Sequence, residues 1–188
     1  MVRDSRSHAL WGLSFCLMAA LPVAAARGED PAKDKAPITA KEAFAKLKTL
    51  VGTWKNEAAH GERHASPGDN KVTYRLTGAG SALVETDLPG SDHEMVSVYH
   101  LDKSDLRMTH YCAAGNQPRL KLDLAASSPS HLVFVFDGGS NLDPATDMHI
   151  HGLTVDFRGN GKVAFTWESL SGGKKADTMT FELSREKP

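Results

Sequence analysis

Two short segments hold most of the side chains that could do chemistry: Thr109-His110-Tyr111-Cys112, which runs on into Gly115-Asn116-Gln117-Pro118, and Met148-His149-Ile150-His151-Gly152. Imidazole and thiolate are donors that suit zinc and copper, and imidazole is the side chain that changes charge nearest neutral pH. If both segments are β-strands, a side-chain period of two puts His110 and Cys112 on one face, and likewise His149 and His151. All four could then converge inside a sheet closed on itself. Such a set can bind a metal, orient the polar group of an organic ligand, or do no more than satisfy hydrogen bonds in a core.

Catalytic arrangements find less support. His110 and Cys112, two apart on one strand, would hold their side chains ~6 to 7 Å apart, too far for the direct hydrogen bond that activates a thiol nucleophile. Ser81 follows Gly80 without the Gly-x-Ser-x-Gly elbow, and neither a phosphate-cradling glycine loop nor a His-Glu-x-x-His zinc-protease motif is present. A cupin-type metal site would add a glutamate shortly after the His-x-His pair, but residues 153–157 offer only Asp156, on the opposite face. Residues 137–144 have the composition of a calcium loop without its regular acidic spacing, and read as a glycine-rich turn. No catalytic residue is assigned, and the balance leans away from an enzyme.

Composition narrows the partners. The 188 residues are 40% hydrophobic, enough for a single domain with a real core. A formal charge of -1, from 22 basic and 23 acidic residues, argues against nucleic acid as a partner and implies no particular oligomeric state. Arg3 and Arg6 precede an apolar run over residues 9–21, then Pro22 and Ala24-Ala25-Ala26, the charged, apolar and cleavage regions of a signal peptide spanning 1–26. That run falls short of the ~20 residues a membrane-spanning helix needs, so cleavage near Arg27 and a periplasmic or secreted product without stable membrane insertion are expected. Cleavage removes Cys16 and leaves Cys112 alone, so no internal disulfide can support the fold.

The elements that must position these residues follow from periodicity. Residues 27–37 are charged and punctuated by Pro31 and Pro37, and read as a flexible linker ahead of one domain, 38–188. Thr39 with Glu42 three residues later has capping-box spacing, and Phe44, Leu47 and Leu50 recur at helical intervals, which predicts one short helix. Ten strands are then predicted at 52–59, 71–77, 81–88, 93–101, 105–112, 117–125, 131–137, 147–157, 162–170 and 175–184, separated by Gly-, Pro-, Ser- and Asn-rich turns. Many short strands at close spacing imply an all-β antiparallel sandwich or barrel. Pairing Leu101 with Leu106 puts Tyr99 on one face with Met108, His110 and Cys112. His149 and His151 continue the face of Leu153, Val155 and Phe157, and Trp167 shares a face with Val163 and Phe165. These faces point inward.

Leu50-Val51-Gly52-Thr53-Trp54, a helix end running into Gly-x-Trp on the first strand, resembles the start of calycin barrels of the lipocalin and fatty-acid-binding kind. The resemblance extends over residues 36–185 and implies that Arg185, near the end of the last strand, stacks on Trp54, with Gly52, Trp54 and Arg185 closing one end. The Thr-His-Tyr-Cys run followed by Asn-Gln-Pro is similar to exported bacterial calycin-like barrels of unknown function, which implies a fold and a compartment but no reaction. Nitrobindin-like barrels bind haem through a histidine. Their remaining motifs do not align here and no Cys-x-x-Cys-His is present, so haem is kept only as a minor reading.

With the resemblance, the resulting expectation is an all-β antiparallel up-and-down barrel of about ten strands, with one short N-terminal helix, that holds a small, partly apolar ligand and no cofactor. Tyr99, Phe157 and Trp167 would supply contact area, and His110, His149 and His151 would orient a polar group. One alternative is a zinc or copper barrel, possibly enzymatic, using His110, Cys112, His149 and His151. The other is an envelope interaction protein whose core is solid.

Overall fold

The computed structural model describes residues 36–57 and 71–186. The expected signal peptide, most of the expected linker and the last two residues of the first expected strand lie outside the described residues.

Helix α1, Ala40–Lys48, starts as its sequence requires. The Thr39 side chain accepts a hydrogen bond from the Glu42 amide at 3.2 Å, and Glu42 Oε2 accepts one from the Thr39 amide at 2.9 Å, so two amides left unpaired at the helix start are satisfied reciprocally. Ala40, Ala43, Phe44 and Leu47 form its buried stripe.

Ten strands follow: β1 Gly52–Asn56, β2 Lys71–Thr77, β3 Ala82–Asp87, β4 Met95–Asp102, β5 Asp105–Tyr111, β6 Gln117–Leu122, β7 His131–Ser140, β8 His149–Gly159, β9 Lys162–Ser171 and β10 Lys174–Arg185. Each pairs antiparallel with the next, and β1 pairs with β10, which closes the barrel. Closure leaves no sheet edge to template aggregation. The register Leu101↔Leu106 holds in the β4–β5 hairpin, and with it Tyr99↔Met108 and Ser97↔His110.

Because the strands run up and down, the barrel has two distinct ends. At one end α1 packs against β4 and β5. Trp54 Nε1 donates to the Leu50 carbonyl at 2.7 Å, and the Arg185 guanidinium lies 4.5 Å from the centre of the Trp54 ring. Arg185 also donates to the carbonyls of Val51, at 2.8 Å, and Thr49, at 2.5 Å, tying the last strand to the end of the helix. Gly52 has φ +130°, and a Cβ there would lie 2.8 Å from Arg185 Nη1. Both the backbone angle and the guanidinium therefore require glycine at that position.

Candidate functional site

At the opposite end, where β1 finishes and β2 starts, the barrel encloses a cavity of about 410 Å³. Its walls are mainly apolar and include Val72, Met95, Ile150, Trp167, Met179 and Phe181, with Asp87, His110, Cys112 and Ser169 among the polar lining residues. A volume in this range suits a small organic molecule.

His110 reaches the cavity from β5. Its Nδ1 lies 3.0 Å from Ser97 Oγ across the β4–β5 pair, and its ring centre is 5.1 Å from that of Trp167. Burial lowers its pKa to about 4, so the ring is neutral at pH 7. With Nδ1 held by Ser97, Nε2 has no hydrogen-bond partner among the described residues.

Cys112 sits at the rim, in a turn built by the rest of its motif. Its amide donates to the Asn116 carbonyl at 3.1 Å, and Gly115 donates back to the Cys112 carbonyl at 2.9 Å. The buried Asn116 side chain donates to the Met148 carbonyl at 2.7 Å. The Asn of the Gly-Asn-Gln-Pro run thus ties the segment bearing His110 to the segment bearing His149.

The four-residue convergence does not form. A register shift in the β8–β9 pair sets Ile150 opposite Ser169 and Gly152 opposite Glu168, so one extra residue of β8 is accommodated between them. That bulge corrects the expectation that His149 and His151 continue the inward face of Leu153. Ile150 lines the cavity in their place, and neither histidine does. Instead His149 Nε2 lies 3.1 Å from His151 Nδ1, and the Phe136 ring is centred 4.9 Å from each of their rings. His149 is fully buried, and its Nδ1 lies 2.9 Å from the Asp147 carbonyl. Desolvation, and then the neighbouring His149, lower the pKa of the partly exposed His151. Among the described residues no group of three or more His, Cys, Asp or Glu side chains is disposed to hold a metal ion.

The aromatic expectations divide. Trp167 lines the cavity. Phe157 lies at the far end, where the Lys46 ammonium is 4.8 Å from its ring centre, so it is remote from the cavity. Tyr99 is fully buried and does not line the cavity; its hydroxyl donates to Glu85 Oε2 at 2.5 Å.

That hydrogen bond leads to an acid pair on β3, Glu85 and Asp87. Leu83, Glu85 and Asp87 are all buried at alternate positions of β3, so two carboxyl groups enter the interior. Burial, then the Asp87 charge, raise the Glu85 pKa well above the usual carboxylate range, while the Tyr99 and Tyr74 hydroxyls pull the other way. Burial raises Asp87 to about 7, with the neighbouring Glu85 pulling the other way. Asp87 lines the cavity, two residues along the same face from Glu85. The signal in the sequence is a pair of acidic residues at period two with Leu83, on the face of β3 that carries that leucine.

The chain matches no protein-family model and no curated protein.

Proposed function

We propose that the protein is an exported calycin-like barrel that binds one small, mostly apolar molecule in the cavity opposite α1, with the polar end of that molecule near His110 and Asp87. The observation that carries this reading is the cavity itself: apolar walls around a few buried polar groups, which is how small-molecule sites are generally built. A closed barrel supports it by holding those walls on paired strands, so little ordering is left for the ligand to impose. The void counts against the solid-core interaction protein. The separation of His149 and His151 from the cavity counts against a four-ligand metal centre.

The neutral fluorescent dye N-phenyl-1-naphthylamine provides a direct test. Titrated into the full chain, it should bind saturably at one site with increased emission. Ser169→Trp, which puts a large ring into the cavity between Trp167 and Ile150, should weaken dye binding by about ten-fold or more by taking up the space. Circular dichroism on the same sample checks the fold. Absence of saturable binding by the native protein, or unchanged affinity in a folded Ser169→Trp variant, would remove the cavity as the binding site.

A further inference from the structure

The cavity wall carries a charge that an apolar ligand alone does not call for. Across the strands, Asp87 pairs with Val72 on β2 and Met95 on β4, both cavity-lining and apolar. Glu85 lies between Tyr74 and Ser97, with the Tyr99 hydroxyl 2.5 Å from its Oε2. Lys71 is the cation among the described lining residues, and its ammonium is turned to Glu186, 3.5 Å away. His110, the other basic side chain of the lining, is neutral at pH 7. Asp177, at the exposed rim, adds a second carboxylate. Among the described residues, no cation pairs with Asp87.

We infer that the cavity selects organic cations: its ligand carries a basic nitrogen on an apolar body, and Asp87 is the counter-ion. This rests on the cavity being the ligand site, as proposed above. Within it each group has a distinct task. Asp87 pairs with the ammonium, and Glu85, on the same face of β3, is held by the Tyr99 hydroxyl. Trp167 offers an aromatic face toward which a cation is attracted. Asp177 at the rim favours the approach of positive over negative ligands.

The preference follows from desolvation. A carboxylate in an apolar enclosure loses its hydration and recovers little without a partner. A ligand ammonium supplies that partner. A neutral alcohol of the same body supplies one hydrogen bond and leaves the charge, and a ligand carboxylate adds a like charge beside it.

Hexylamine, hexan-1-ol and hexanoate share one apolar body and differ only in the head group, so their competition with N-phenyl-1-naphthylamine isolates the head. At pH 8, above the Asp87 pKa, hexylamine should displace the dye at a concentration lower than hexanol by about ten-fold or more, and hexanoate should be the weakest. In Asp87→Asn the amine and the alcohol should fall within about two-fold of each other, because the counter-ion is gone. Dye binding with hexanol or hexanoate equal to or better than hexylamine overturns the cation assignment and leaves the cavity reading standing. So does an amine preference that persists in a folded Asp87→Asn variant. If that variant fails to fold by circular dichroism, the order measured on the native protein decides alone. Failure of the native protein to bind the dye at all overturns the cavity reading, and the cation assignment with it.

Discussion

Two carboxyl groups on the inward side of β3 make the stability of this barrel depend on pH in a direction opposite to that of a protein rich in surface ion pairs. Asp87 is raised from 3.8 to about 7 in the fold, so its neutral form is the one the folded state prefers. The stability it supports is fully present below the ordinary carboxylate pKa and is lost as pH rises toward 7. His110 acts in the other sense. Its pKa is lowered from 6.5 to about 4, so its contribution is present above 6.5 and is lost as pH falls toward 4. Between those limits the two oppose each other, and on the alkaline side the Asp87 loss is uncompensated. Asp87→Asn keeps the shape and removes the titration. Relative to the native protein it should gain on the order of 2 to 4 kcal/mol between pH 4.5 and pH 8, read by chemical denaturation at both values. A native-minus-variant difference that is the same at both pH values would show that Asp87 does not titrate on unfolding in this range. A group that costs stability at neutral pH and faces a cavity fits a residue kept for binding, since binding sites commonly trade stability for function.

At the scale of elements, the closed end depends on three residues from the two strands that complete the barrel. Trp54 is 3% exposed beneath the Arg185 guanidinium, and Gly52 leaves that guanidinium room. Trp54→Ala should cost roughly 3 to 5 kcal/mol in chemical denaturation, the usual penalty for deleting a large buried aromatic. A loss below about 1 kcal/mol would mean that the ring is not part of the core. Much of this level was legible in the sequence. The helix start was readable because Thr39 and Glu42 satisfy each other locally, and the β4–β5 register because apolar alternation and a short turn leave few pairings. The bulge in β8 was not readable. One extra residue at Ile150 to Gly152 changes no composition, and its placement is decided by the fit of β8 against β9, so strict alternation assigned His149 and His151 to the wrong surroundings. Phe157 shows a different limit. Alternation separates inside from outside but says nothing about which end of the barrel an inward residue occupies. That follows only from the direction of each strand, and β8 runs from the cavity end toward α1. The acid pair is readable as Glu85 and Asp87 at period two with Leu83, but alternation alone does not say that a polar position faces inward.

For the whole molecule, the up-and-down order was legible because a turn-rich segment separates consecutive strands, and neighbours in sequence are neighbours in the sheet. The exception is closure, where Trp54 pairs with Arg185 across nearly the whole described chain. Folding therefore cannot be completed until β10 has been made. Cys112 is the one free cysteine among the described residues, so nothing described in the barrel depends on an oxidant. The described barrel is therefore held by its core and strand ladder. The charged start, short apolar run and Ala24-Ala25-Ala26 ending lead to the expectation that the exported form begins near Arg27. Produced from its full sequence in a bacterial host, the protein should be recovered from the periplasm or medium. Intact-mass spectrometry should show loss of about 26 residues, as the position of that cleavage pattern implies. Its yield and denaturation midpoint should be the same in a strain lacking the periplasmic thiol oxidase and in the presence of reductant, because Cys112 has no partner within the barrel to oxidise. An intact chain beginning at Met1 and recovered from the cytosol would refute the export assignment. A midpoint that falls with reductant would show that Cys112 is cross-linked to another molecule, and the stability of the barrel would then have to be measured on that adduct.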